Sequence, residues 1–266
     1  MPRKARVLSP TNIYHVVIRG ADHQVIFEQR ADFLKYLDFL TYYKEQCKFE
    51  LFAYCLMNNH IHLLLRVNEM PLASIFRRIN TNYALWYNMK YNRSGYLQQG
   101  RYYSEPIADQ RQLLTAICYI HHNPMRAGLE MSCGSAYEWS SFFAYRKAEP
   151  GLIDTSFVLE VSGGSEAFFD FHNSYSARVL GGTTTEDDSR FLDIDKIQKR
   201  LPDDVAKEII SAISKCSTVA EFQNLPLIER NNFILAIHKK GVSIRQLNRL
   251  TGTSRGVIMR VLKNKL

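Results

Sequence analysis

The chain has 266 residues and 46% hydrophobic content, enough to bury a sizeable core in one large domain or two smaller ones. Its formal net charge of +8 and pI near 9.2 favour an anionic partner, nucleic acid first, but say nothing about fold. Five cysteines (Cys47, Cys55, Cys118, Cys133, Cys216) form no C-x-x-C pair and are odd in number. They argue against a disulfide framework or zinc cage and for reduced thiols in a cytoplasmic protein. The basic start, "MPRKARVLSP", lacks the apolar core of a secretory signal, and no later apolar run is long enough to span a bilayer. No membrane partner is expected.

In chain order, "NIYHVVIRG" (Asn12 to Gly20) is β-branched, aromatic and closed by glycine, which predicts a strand. From Arg30 to Gln46, Phe33, Leu34, Tyr36, Leu37, Phe39 and Leu40 recur at helical spacing. "FELFAYCLM" (Phe49 to Met57) and "HIHLLLRV" (His60 to Val67) flank the turn signal Asn58-Asn59 and predict a hairpin. Pro71 opens a long helix to about Tyr91, with Leu72, Ile75, Ile79, Tyr83 and Trp86 on its apolar side. A fourth strand is expected around Glu105 to Ala108. A helix capped by Asp109 follows and must end near Pro124.

That order predicts an α+β domain, a ferredoxin-like βαββαβ arrangement with an added helix and a sheet covered mainly on one face. It is expected over 1–150, with 125–150 an irregular return along the surface. A connecting segment follows over 151–190, with one short helical stretch and the polar linker "GGTTTEDDS" (Gly181 to Ser189). A small all-α domain closes the chain over 191–266.

Within "NNHIHLLL", His60 and His62 are i and i+2 on a strand and point to one face, a spacing that suits two-point metal coordination. An isolated pair of this kind equally fits two satisfied histidines at a sheet edge. In "CYIHHNP", Tyr119, His122 and Asn123 share one helix face. His121 lies about 200° around from Tyr119 and faces elsewhere. If that helix crosses the histidine face, a tyrosine stands beside two imidazoles and a carboxamide. Such a set suits attack by a phenol oxygen on a phosphodiester held by a divalent cation. The bland alternative is that Tyr119 is one of fifteen tyrosines, packed in a core.

The C-terminal segment has its own pattern. A helix ends near Lys240-Gly241. Ser243 caps a second with Ile244, Leu247 and Leu250 inward, and after the turn Thr251-Gly252-Thr253, Ser254 caps a third. Eight basic residues and no acidic one follow from Lys239 onward. This is a helix-turn-helix pattern, with Ser254, Arg255 and Arg260 on the candidate recognition helix and duplex DNA as the expected partner. A plain three-helix interaction bundle is the alternative.

Four blocks, "YHVVIRG", "YCLMNNHIHLLL", "SGYLQQGRYYSEPI" and "YIHHNPMRAGL", occur in this order over about residues 10 to 130. Together they resemble the REP-associated tyrosine transposases, relatives of the single-tyrosine HUH transposases of bacterial insertion sequences. The resemblance implies a nuclease that cuts single-stranded DNA, often beside a hairpin, leaving a 5′-phosphotyrosine link and a free 3′-OH. It implies His60 and His62 as metal ligands, Asn123 as a third, Tyr119 as nucleophile, and Mg²⁺ or Mn²⁺ as the metal. Ligand chemistry by itself would suit zinc as well. His122 departs from the usually apolar position before the asparagine.

Arg19, Arg77, Arg78 and Arg101 are the candidate DNA contacts of this region, interleaved with aromatic residues able to stack on unpaired bases. A non-enzymatic DNA-binding regulator derived from a transposase is the competing reading. A zinc hydrolase lacks a carboxylate motif such as H-E-x-x-H. Relatives include monomers and dimers with exchanged helices, so either a monomer or a homodimer is compatible.

Overall fold

A computed structural model describes residues 6–21, 24–147, 151–180, 191 and 203–263. They fall into two compact units, Met1–Ile194 and Asp195–Leu266. The linker expected at Gly181 to Ser189 lies outside the described residues, as do the first five.

The first unit runs β1 (Ile13–Arg19), α1 (Arg30–Cys47), β2 (Glu50–Met57), β3 (His60–Arg66), α2 (Leu72–Lys90), β4 (Tyr103–Ile107), α3 (Gln110–His121) and the short α4 (Asn123–Arg126). All strand pairs are antiparallel and the order is β2-β3-β1-β4. This is the expected ferredoxin-like α+β sheet. The hairpin turns at Asn58-Asn59, whose carbonyls accept from Gly20, Ile26 and Phe27. That docking explains Gly20: a Cβ there would lie 2.0 Å from the Gln24 carbonyl oxygen. The Asp109 carboxylate caps α3 by accepting from the Gln112 amide at 2.8 Å.

Three expectations need correction. Both sheet faces are buried: Val16, Ile18, Ile61, Leu63 and Leu65 on one, His15, Val17, His62 and Leu64 on the other. The unbroken apolar runs "VVI" and "LLL" are what two-sided burial requires. The domain also does not stop at 150. α5 (Phe142–Lys147), α6 (Thr155–Ser162) and α7 (Ser165–Leu180) belong to the same unit, so 151–180 is no connecting segment. Nor is 125–147 only a surface return. Trp139 and Ser141 hydrogen-bond along the free edge of β2, through Leu56 N to Trp139 O and Ser141 N to Tyr54 O. This covers part of an edge that would otherwise be open to pairing.

The second unit is all-helical: α8 (Asp203–Ser214), α9 (Val219–Asn224), α10 (Leu227–Lys239), α11 (Ile244–Thr251) and α12 (Arg255–Lys263). Its core gathers Ala206, Phe222, Ile234, Ile237, Val242, Leu247 and Ile258. Ser243 and Gln246 form a capping box at the start of α11. α11 closes on Gly252 at φ +70, a left-handed turn that glycine adopts without strain. Ser254 Oγ then accepts from Val257 N at the start of α12.

Candidate active site

Strand register decides which side chains meet. Arg19 pairs with His60, and Val17 pairs with His62 on one side and Tyr103 on the other. Residues directly opposite in a ladder point to the same face. His15, Val17, Arg19, His60, His62, Tyr103 and Glu105 therefore share one face. α3 crosses it over β2 and β3.

The helix brings Tyr119 onto the histidines. Its ring centroid lies 5.8 Å from those of His62 and His15, edge-on to both. The His60 and His62 rings are 5.0 Å apart and nearly perpendicular. Tyr119, His62 and His15 are fully buried, while His60 is half-buried. Arg126 places its guanidinium carbon 4.9 Å from the Tyr119 ring centroid. Phe191 packs on the other partners, 5.3 Å from His15 and 5.7 Å from Tyr119.

The donor set fits a divalent cation. His60 Nδ1 lies 2.7 Å from Asn59 Oδ1, an acceptor, so that nitrogen carries the proton and Nε2 keeps the lone pair. His62 Nδ1 lies 3.0 Å from His15 Nε2, and His62 Nε2 is buried with no hydrogen-bond partner among the described residues. An orphaned imidazole nitrogen in a dry site is costly unless something accepts its lone pair. Burial first, then the neighbouring His60, His15, Arg19 and Arg126, pushes the His62 pKa well below its usual value, which keeps the ring neutral and ligand-competent. No group of three His, Cys, Asp or Glu among the described residues is placed to hold a metal. A third protein ligand would have to be of another kind. Asn123 Nδ2 donates to Tyr119 O at 2.9 Å, which leaves its Oδ1 as acceptor, though it bonds neither imidazole.

The neighbouring histidines do something else. His121 Nδ1 meets His172 Nε2 at 3.0 Å, and His121 Nε2 meets Ser141 Oγ at 2.8 Å. His122 contacts Cys118 O and Ser176 Oγ. Both tie α3 to α5, α7 and the β2 edge, so His122 is a packing residue. Among the proposed DNA contacts, Arg19 stands opposite His60 on the face that carries the histidines. Arg77 and Arg101 line a separate cavity beside α2. Arg78 lies near Cys47 at the end of α1 and does not line that cavity. Ser254, Arg255 and Arg260 are exposed on the second unit.

Three residues were not anticipated: His15, Arg126 and Phe191. The first two had a signal. His15 is a lone imidazole inside the apolar run "IYHVVI", and Arg126 is seven residues on from Tyr119, two helical turns along the same face. Phe191 had none.

Residues 10–123 match the family model for IS200-like transposases. A Haemophilus influenzae (strain ATCC 51907 / DSM 11121 / KW20 / Rd) protein named as a REP-associated tyrosine transposase is 30% identical over 132 residues, covering 42% of this chain and 71% of that protein. The chain belongs to the REP-associated, IS200-like transposases. Two solved structures are also similar to this transposase. One, a REP-associated tyrosine transposase bound to a REP hairpin, has TM-score 0.47 and 15% identity over 59% of this chain and 96% of its own. The other, a Deinococcus radiodurans R1 protein described as a transposase, has TM-score 0.31 and 20% identity over 42% and 91%. Both are too distant to bear on the site.

Proposed function

We propose that this transposase cuts and rejoins single-stranded DNA through a covalent link to Tyr119. The observation that carries the reading is the packing of the Tyr119 ring against His62, whose buried Nε2 is orphaned. Attack by the Tyr119 oxygen on phosphorus forms one P–O bond and breaks the bond to the 3′ oxygen. The phenol gives up its proton and the departing 3′ oxygen takes one up. The products are a 5′-phosphotyrosine and a free 3′-OH, and the 3′-OH of a second end reverses the step.

His60, His62 and Asn123 would hold Mg²⁺ or Mn²⁺, which would polarise the phosphodiester and stabilise charge on its oxygens. The chain's own residues do the rest. Arg126 and Arg19 set positive charge beside the tyrosine and the histidines, where a phosphate must lie. Burial of Tyr119 excludes bulk water, which would otherwise hydrolyse a phosphoryl link.

Membership of a family named for its association with REP elements supports hairpin DNA as substrate here. The exposed basic residues of α12 support duplex DNA binding by the second unit.

Tyr119→Phe tests the reading directly. Incubated with single-stranded hairpin oligonucleotides and Mn²⁺ or Mg²⁺, the parent should form an adduct stable to denaturing gels, and the variant none. Adduct formation by the variant would remove Tyr119 as nucleophile. Sequence-specific duplex binding with no cleavage under either metal would favour a regulator derived from a transposase.

A further inference from the structure

The second unit carries a glycine that nothing inside the protein explains. Gly256 lies in the first turn of α12, is exposed, and has a helical backbone, so no left-handed turn requires it. A Cβ there would have no heavy atom within 4 Å beyond its chain neighbours and its own helix. Glycine weakens a helix relative to alanine. With neither packing nor backbone geometry to account for it, the physical reason left is a close approach from outside that a side chain would block.

Its surroundings say what approaches. At about 100° per residue, the exposed residues Arg255, Met259, Lys263, Gly256 and Arg260 lie in that angular order across one face of α12. The two arginines take the edges, about 140° apart, and Met259, Lys263 and Gly256 hold the centre. Ile258, Val261 and Leu262 turn the other way, into the core of the unit. Met259 is 51% exposed, a large apolar side chain set between guanidiniums on a face with no carboxylate.

The face is also held rigidly. Gln223 Nε2 of α9 donates to Thr251 O at 2.6 Å and to Thr253 Oγ1 at 3.2 Å, and Asn248 Nδ2 donates to Thr253 O at 2.8 Å. A Cβ on Gly252 would lie 2.9 Å from Val219 Cγ1, so the turn packs directly on α9. The angle between α11 and α12 is therefore fixed before anything binds.

We propose that α12 reads the base edges of duplex DNA in the major groove, with Met259 against a thymine methyl and Gly256 bare so that the helix sits deep enough to reach it. Arg255 and Arg260, at the two edges of the face, meet phosphates on the two walls of the groove. An apolar centre between cationic edges complements a groove whose walls are anionic and whose floor carries that methyl. From Arg255 to Lys263 the helix rises about 12 Å, enough for roughly three to four base pairs. The inference rests on the reading that the second unit binds duplex DNA and goes beyond it. Charge alone would hold any duplex alike, whereas Gly256 and Met259 make the unit selective.

Full chains carrying Tyr119→Phe, with and without Gly256→Leu, select from a pool of random duplexes, and the bound fraction is sequenced. Leucine forms helix better than glycine and has free space at this position, so the variant should melt no lower than its parent. The parent should enrich a core of roughly three to four base pairs that includes a thymine, and Gly256→Leu should lose it. Fluorescence anisotropy then compares the selected duplex with one in which uracil replaces that thymine, which removes only the methyl. Binding should weaken about fourfold, the worth of burying one such group. Met259→Ala should bind the two duplexes alike.

A core that survives Gly256→Leu, or a uracil penalty that survives Met259→Ala, overturns the inference. Salt-sensitive binding to every duplex alike also overturns it but spares duplex binding by the second unit. No duplex binding at all removes both.

Discussion

His15 is the residue whose replacement most directly tests how the site is built. Its Nε2 lies 3.0 Å from His62 Nδ1, the rings stack at 5.2 Å, and both are fully buried. If His62 Nδ1–H donates to His15, then His62 Nε2 is locked as the bare nitrogen that faces a cation. His15→Phe keeps an aromatic ring against Tyr119 and Phe191 but removes the acceptor. The His62 N–H is then left buried and unpaired, at a cost of about 1–3 kcal/mol. Moving that proton to Nε2 relieves the cost but occupies the lone pair the metal needs.

Either way Mn²⁺ affinity should fall about 10–100-fold, the usual effect of losing a group that orients a ligating histidine. Calorimetric titration with Mn²⁺ reads this directly, and a thermal melt checks that the variant is folded. His15→Gln, whose carboxamide oxygen can accept, should recover part of the loss. Folded His15→Phe protein that binds Mn²⁺ within twofold of the parent would refute the orienting role.

Other expectations follow from burial and charge. Burial holds the His172 pKa down to about 3 from 6.5, so the folded state resists protonation while the unfolded state accepts it. Stability from this residue is complete above pH 6.5 and drains as pH falls toward 3, by ~2 kcal/mol at pH 5 at ~1.4 kcal/mol per pH unit. Urea midpoints at pH 7.5 and pH 5 measure it, and equal midpoints would contradict it. Phe191→Ala should speed adduct formation by about 5- to 150-fold, because two aromatic contacts worth ~0.5–1.5 kcal/mol each no longer cover Tyr119 and His15; a slower or unchanged rate in single-turnover gels would show that the ring does not limit access. Arg255→Ala and Arg260→Ala should each weaken duplex DNA binding and lower the slope of log K against log salt by about 0.9, and an unchanged slope would remove them from the phosphate contacts.

Much of the first unit could be read residue by residue. Period-2 alternation placed His60 and His62 on one face, and helical spacing placed Tyr119, His122 and Asn123 on another, because both periodicities are local. The Asp109 cap and the Asn58-Asn59 turn were equally local. What could not be read depended on contacts distant in sequence. His15 and His62 are 47 residues apart and meet only because β1 and β3 are neighbours. "SEAFFDFHNSYSARV" has aromatic residues on several sides, so its hydrophobic pattern names no single buried face and reads as a connector. Arg77 and Arg78 are adjacent in sequence and look equivalent, but successive residues sit about 100° apart on a helix and these two face different neighbours.

The misread segment matters for the site itself. From Thr115 to Pro124 every residue is buried, so α3 is enclosed on all sides rather than lying on the sheet with a wet outer face. A helix buried all round needs a second layer, and α6 and α7 supply it. That layer is polar at its centre: His172 is paired with His121, and Ser176 with His122, each close to Tyr119 or Asn123 along the chain. Directional bonds on the outer side fix the helix's rotation in a way that apolar packing alone would not, and the rotation decides whether Tyr119 points at His62. Replacing His121 and His172 together by apolar residues of similar size should leave stability little changed, since both members of that pair go and Ser141 Oγ keeps its bonds to Tyr54 N and O. The same change would free α3 to turn, so loss of adduct formation without loss of stability is the signature expected of a layer that aims the nucleophile.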